Sequence, residues 1–282
     1  MSFTFTVDLE EHRPNDSYPK RFPAIMHELM AFLDERNIRA TVFVLGKLAE
    51  NEPGLVKEIS ANGHEIGFHS YAHVHLNRDN SDNFRRESSR SKAFIEDLTG
   101  QAIKGFRAPA FSLTRDSMWV LEILQDLEFS YSSSVLPANN PINGFPGAPQ
   151  KPFLWENGLL EIPAPLAQLG PLTLPYLGGI YLRYLPTALV RHFISREHDK
   201  RLLWLYCHPH DFDHDEPYYT IAGTSMLTSL LLWFNRKNTF KKIDRILRGE
   251  FARNAVPFIE SIQANNYQGL ETFRPDYEIQ QS

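Results

Sequence analysis

His69-Ser70-Tyr71-Ala72-His73 puts two imidazoles four residues apart. On a helical turn that spacing aims both rings at one point, as a shared metal ion requires. Chance also yields such pairs, so the surroundings decide its weight. The pair follows directly on a short strand-like run, residues 65–68, and another strand-like run leads into Asp8-Leu9-Glu10-Glu11-His12. A hydrolytic metal centre needs a third protein ligand, usually a carboxylate, with one position left open for water. It gains from a second carboxylate, free of the metal, that takes the water's proton. The acidic segment offers both. The plain alternative is an acidic loop that solvates a strand end, but a carboxylate directly after an apolar strand is costly to desolvate unpaired.

Two further segments carry reactive groups. Gly105-Phe106-Arg107-Ala108-Pro109 supplies a guanidinium that can hold a carboxylate in one orientation and keep it ionised. It could equally be a surface charge, although the proline after it favours a fixed position. Leu205-Tyr206-Cys207 leads into His208-Pro209-His210-Asp211, where an imidazole could protonate a leaving amine and Asp211 could tune it. Cys207 lies within the apolar run and reads as a small buried residue, not a nucleophile. Eight of the eleven histidines fall in three places: His12; His64, His69, His73 and His75; and His208, His210 and His214. One such cluster would pass as chance, three less readily.

These groups need elements to position them, and the first two-thirds of the chain alternates strand-like and helix-like segments. Strands are expected over residues 3–7, 40–45, 65–68, 103–106, 131–135 and 202–207. Helices are expected over 22–36, 53–62, 81–98 and 114–127, with Ser81 as a cap and Gly63 and Gly100 as stops. Such units imply right-handed crossovers and a parallel sheet, open or closed into a barrel. Functional groups then gather past the carboxyl ends of the strands, and Asp8, His69, Arg107 and His208 each follow a strand run. Residues 137–152 read as a long loop. Residues 166–182 carry no charge but are broken by proline and glycine, so they read as an irregular cover over the core, or else as an apolar wall for a hydrophobic part of a substrate. Residues 225–263 are helical and basic in the middle (Arg236, Lys237, Lys241, Lys242, Arg245, Arg248), as a solvated face or a grip on a phosphate or lipid head group.

The chain has 282 residues, 42% of them apolar, and fits one large α/β domain better than two small ones. A net charge of −5 argues against a nucleic-acid partner. One cysteine allows no internal disulfide, and the first residues show no basic stretch followed by an apolar one, so a cytoplasmic setting is expected.

The ordered set Asp8 with Glu10, His69-x-x-x-His73, Arg107-x-Pro109 and a late His208 resembles the polysaccharide deacetylase family, also called the NodB-homology or carbohydrate esterase family 4 domain. The resemblance covers roughly residues 1–215. It implies a distorted (β/α) barrel, with residues 216–282 as a C-terminal helical extension packed on it. It implies that Asp8 is the catalytic base, that Glu10, His69 and His73 bind a divalent ion, that Arg107 orients the base and that His208 is the general acid. Zinc suits two histidines and a carboxylate, as do cobalt, nickel and iron. Familiar members have two adjacent aspartates, whereas here Leu9 separates Asp8 from Glu10. This spaced form is similar to the branch that holds allantoinase-like enzymes, exosortase-associated deacetylases and lipid-linked aminoarabinose deformylases. The departure leaves Asp8 and Glu11 as alternatives to Glu10 for the third ligand. The implied substrate is an N-acetylated or N-formylated amino sugar in surface polysaccharide or lipid-linked sugar biosynthesis, with peripheral membrane contact and no transmembrane segment. The rivals are an amidase for a small non-sugar amide and a non-catalytic carbohydrate-binding domain.

Overall fold

Strand β1 (Phe3–Leu9) alternates strictly: Phe3, Phe5, Val7 and Leu9 join the large apolar cluster under the helices, so Thr4, Thr6 and Asp8 take the other face. That is the period of two that a β-strand imposes. A computed structural model of the chain describes residues 3–140, 143–170, 172–197, 202–220, 225–249, 252, 255–265, 267 and 269–275.

The chain then winds through α1 (Phe22–Asp34), β2 (Thr41–Val44), α2 (Gly46–Asn51), α3 (Pro53–Ala61), β3 (Glu65–Phe68), α4 (Ser81–Thr99), β4 (Gly105–Phe106), α5 (Val120–Asp126) and β5 (Tyr131–Ser132). After β6 (Phe153–Trp155), β7 (Leu160–Glu161), the β8–β9 hairpin (Ala167–Leu169, Leu172–Leu174), α6 (Gly179–Tyr184) and α7 (Thr187–Glu197), strand β10 (Leu203–Cys207) returns to the first strand. Helices α8 (Met226–Trp233), α9 (Thr239–Leu247) and α10 (Phe258–Asn265) and strand β11 (Thr272–Phe273) follow. The main sheet runs β10-β1-β2-β3-β4-β5-β7-β6-β11. Its pairs are parallel except β6 with β7.

The sheet is curled. The Phe258 ring meets Phe43 of β2, Tyr131 of β5 and Trp204 of β10 with centroids 6.3, 5.6 and 5.7 Å away, although β5 and β10 lie far apart along the ladder. The inward-facing Phe43, Tyr131, Trp204 and Tyr206 form a second apolar cluster, while the alternate residues Val42, Val44, Leu203 and Leu205 pack outward under the helices. This is the distorted (β/α) barrel expected from the sequence. Its interior is crowded enough to require glycine at one point: a Cβ on Gly105 would stand 2.2 Å from the Tyr131 hydroxyl.

Several boundaries differ from the sequence expectation. The expected strands at 103–106 and 131–135 shrink to two paired residues each, as side chains take neighbouring backbone groups: Glu96 accepts from the Ile103 N–H at 2.8 Å, and Glu161 from the Ser134 and Val135 N–H groups at 2.7 and 2.9 Å. Helix α4 is capped by Asn80 rather than Ser81, its side chain accepting from the Asn83 N–H, and ends at Gly100 in the left-handed region as expected. Residues 166–182 are not wholly irregular: they form β8 and β9 and begin α6. Beyond residue 215 the chain supplies helices, and also β11 to the sheet and Phe258 to the barrel interior.

Candidate active site

Because β1 alternates, Thr6, Asp8 and, one step on, Glu10 share the inner face. Arg107 follows β4 and points inward, wholly buried. Its Nη1 donates to Asp8 Oδ1 at 2.7 Å and to Thr6 Oγ1 at 2.8 Å. Its Nε and Nη2 donate to the Ser133 carbonyl and hydroxyl at 3.2 and 3.1 Å. The guanidinium lies over the Phe43 and Trp204 rings at 4.1 and 4.4 Å. A planar cation bound on every side fixes the direction of one Asp8 oxygen and leaves the other, Oδ2, on the side of His208.

His69 and His73 both turn to Glu10: their Nε2 atoms lie 3.3 and 3.1 Å from Glu10 Oε1. The helical turn expected for this pair is absent. Residues 69–73 are irregular, and Ser70 and His73 have left-handed φ values of 66° and 57°, so the rings converge through loop geometry, not the four-residue spacing of a helix. His12 Nε2 contacts the other oxygen, Glu10 Oε2, at 2.6 Å. Glu11 turns away to an ion pair with Arg13. Burial alone would raise the Glu10 carboxyl, but His73 and His208 and the bonds from His12 and His69 hold it well below the usual carboxylate range.

The donor set fits a divalent cation. His69 Nδ1 lies 2.8 Å from the Arg107 carbonyl, which can only accept, so Nδ1 carries a proton. In the charged ring Nε2 donates to Glu10; in the neutral ring it is a lone pair facing that carboxylate oxygen, which His73 Nε2 approaches as well. Acceptors facing one another in a buried place are satisfied by protonation or by a cation between them. Glu10, His69 and His73 are one of the groups whose ligand atoms all lie within 4.8 Å of one another.

The register of β10 beside β1 pairs Val7 with Cys207, which brings His208 next to Asp8. His208 Nε2 stands 3.9 Å from Asp8 Oδ2 and 3.7 Å from Glu10 Oε1. Its Nδ1 and its backbone N–H both meet Asp211 Oδ2 at 2.9 Å. Burial opposes a charged imidazole, yet Glu10 and Asp211 push the His208 pKa up to about 9. The other Asp211 oxygen forms a 2.9 Å ion pair with Arg183 Nε, without hydrogen-bond alignment. His210 stacks on His208 at 4.7 Å and meets His12 edge-on at 4.2 Å; burial holds it neutral, well below the usual range.

The structure thus brings together Asp8, Glu10, His69, His73, Arg107 and His208. Sequence reasoning gives no role to His12, Thr6, Ser133 or Arg183. Thr6 is open to inference, two residues before Asp8 on one strand face. Ser133 and Arg183 act from far along the chain, and nothing local marks them.

Residues 15–131 match the family described as polysaccharide deacetylase, and residues 133–256 match one described as Domain of unknown function (DUF3473). A peptidoglycan-N-acetylglucosamine deacetylase of Bacillus cereus is 32% identical over 126 residues, covering 41% of this chain and 46% of that protein. The chain spans about half the length of this curated relative. Among solved structures, a Mycobacterium smegmatis protein assigned to the polysaccharide deacetylases aligns with a TM-score of 0.62 at 18% identity, covering 98% of this chain and 94% of that one. A carbohydrate esterase family 4 pseudoenzyme from Bacillus anthracis aligns with a TM-score of 0.52 at 14% identity, covering 92% and 64%. At such identities these structures share the fold. The barrel is of the kind that these carbohydrate esterase family 4 and polysaccharide deacetylase structures share. Residues 15–131 are similar to the polysaccharide deacetylase family, and the second matched region follows them. Asp8 and Glu10 precede the first matched span and His208 lies in the second, so their place in the site rests on geometry.

Proposed function

We propose that the protein is a metal-dependent hydrolase that removes the acetyl group from an N-acetylated amino sugar, with an N-formylated sugar as the nearest variant. The observation that carries this reading is the convergence on Glu10 Oε1 of His69, His73 and His208, beside an Asp8 carboxylate fixed by Arg107. Glu10, His69 and His73 would hold a divalent ion, zinc being the first candidate, which when bound polarises the acyl oxygen and acidifies a water molecule.

The chain's own residues supply the proton transfers. Asp8 takes the proton of the attacking water as the new carbon–oxygen bond forms. Arg107 holds Asp8 Oδ1 in place and leaves Oδ2 free to take that proton. As the carbon–nitrogen bond breaks, His208 gives its proton to the departing nitrogen, leaving an acetate and a free amine; Asp211 holds the His208 ring so that Nε2 faces the reacting atoms. The activity for which the Bacillus cereus relative is named, on peptidoglycan N-acetylglucosamine, favours an acetylated sugar over a small cyclic amide.

The test measures metal content and acetate release from N-acetylglucosamine oligomers for the wild type and for His69→Ala with His73→Ala. About one divalent ion per chain, lost together with acetate release in the double variant, supports the reading. Wild-type protein that takes up no ion and releases no acetate overturns it, and favours a binding module built on the same fold.

A further inference from the structure

Helix α8 is inside out. It buries Ser229, while Met226, Leu227, Leu230, Leu231 and the following Phe234 are 66, 68, 47, 40 and 54% exposed. These positions fall at intervals of one, three and four residues, which is one face of a helix. Tyr184 of α6 extends the same surface: its ring packs on Phe234 at 4.7 Å and its hydroxyl donates to the Leu231 carbonyl at 3.0 Å. A contiguous apolar patch of this kind is rarely left to water.

The rim of the patch is cationic. A cavity of about 390 Å³ opens beside Tyr184, lined by Arg183, Lys241, Lys242 and Arg245 and by no carboxylate. Two of these cations are committed: Arg183 donates to the Leu232 and Phe234 carbonyls at 2.8 and 2.7 Å, and Lys242 to the Arg183 and Leu185 carbonyls. Lys241 and Arg245, four residues apart on α9, and Lys237 are exposed, and no ion pair holds them among the described residues. This free positive charge sits on a chain whose net charge is −5.

We infer that the exposed face of α8 inserts into an anionic lipid bilayer surface while Lys237, Lys241 and Arg245 engage its headgroups. Apolar side chains fringed by unpaired cations match the acyl boundary and the anionic headgroup layer of a membrane interface. A second copy of the chain is the rival occupant, and the oligomeric state measured in the test separates it from a membrane surface. No helix among the described residues is long and apolar enough to cross a membrane, so the association is peripheral. Arg183 grips the carbonyl end of α8 and is also the ion-pair partner of Asp211, which ties the docking surface to the residue behind His208. The inference does not depend on the proposed deacetylation, because its readout is binding.

The full chain is sedimented with vesicles of phosphatidylcholine mixed with phosphatidylglycerol and with vesicles of phosphatidylcholine alone, with its oligomeric state measured in parallel. Expected are pelleting with the anionic vesicles, loss on raising salt, and about fivefold weaker binding for each cation removed in Lys241→Ala and Arg245→Ala. Leu227→Asp with Leu231→Asp, at exposed positions and with an unchanged melting temperature, is expected to stay in the supernatant. Wild type that stays in the supernatant, or binds both vesicle types equally, overturns the inference. So does a wild-type dimer that ignores vesicles and that the aspartates split.

Discussion

Arg107 and Asp8 form a buried pair, 2.7 Å apart, that sits at the centre of the site. Removing one partner of such a pair strands the other charge, at a cost of about 3–5 kcal/mol. Arg107→Ala is therefore expected to lower stability by that order, and the informative variant is Arg107→Lys, which keeps the charge. A lysine ammonium cannot reach Asp8, Thr6 and Ser133 in one plane, so turnover should fall roughly a hundredfold through misorientation of Asp8. Asp8→Asn keeps an acceptor for Arg107 and loses only the charge, so it should fold with reduced stability and keep its metal, with turnover lowered by about 10²–10⁴. Steady-state kinetics beside metal content decides; an active Asp8→Asn would remove Asp8 from the role of base.

His208 must be protonated to serve a leaving nitrogen, and Asp211 is one of the groups that raise its pKa to about 9. A raised pKa keeps the acid form populated up to higher pH, so activity is lost on the alkaline side as His208 deprotonates. Replacing Asp211 with Asn removes one raising charge and keeps a hydrogen-bond partner. The alkaline limb of the kcat profile is expected to move to lower pH, with KM little changed. An unmoved limb in a folded variant would assign the acid to another group.

Much of this site is legible because strand ends announce themselves. Apolar alternation in residues 3–7 sets the face of Asp8, and the apolar run before His208 sets its depth, so four segments can be assigned to one end of the barrel. The His69–His73 pair stands out by a spacing that suggests a helical turn, whereas positive φ at Ser70 and His73 makes the convergence. Loop conformations of that kind depend on tertiary contacts, here the Arg107 carbonyl on His69, and leave little local trace. Arg183 is illegible for the same reason, since its partner Asp211 lies on the far side of β10 in the chain. Among the histidines of the first dense cluster, His64 serves the fold instead of the site, because its Nδ1 accepts from the Ala40 N–H at 3.0 Å, at the start of β2.

That burial gives His64 its own signature. Desolvation, helped by Arg39, lowers its pKa to about 4 from 6.5. The unfolded chain therefore binds a proton between those values while the folded chain does not, and stability rises with pH across that window. The full effect is about 3 kcal/mol, present above pH ~6.5 and lost as pH falls toward ~4. His64→Asn, which keeps an acceptor for the Ala40 N–H, should show a flatter fall. Urea unfolding at a series of pH values gives the difference between the two proteins; parallel curves would sink the assignment.

Chelation should separate the site from the fold. Glu10, His69 and His73 sit on different segments, β1's end and the loop after β3, so an ion held by them ties those segments together and stabilises only the folded chain. At free metal a hundredfold above Kd that linkage is worth about 2.7 kcal/mol. The expected result is a melting temperature that falls on metal removal and recovers on zinc addition, with the far-ultraviolet dichroism of the metal-free protein still folded at low temperature. The core beneath the helices does not use the ion, which is why secondary structure should survive. Glu10→Gln should abolish the zinc-dependent rise while Glu11→Gln leaves it intact, because Glu11 is engaged by Arg13. A rise that persists in Glu10→Gln and vanishes in Glu11→Gln would move the third ligand to Glu11.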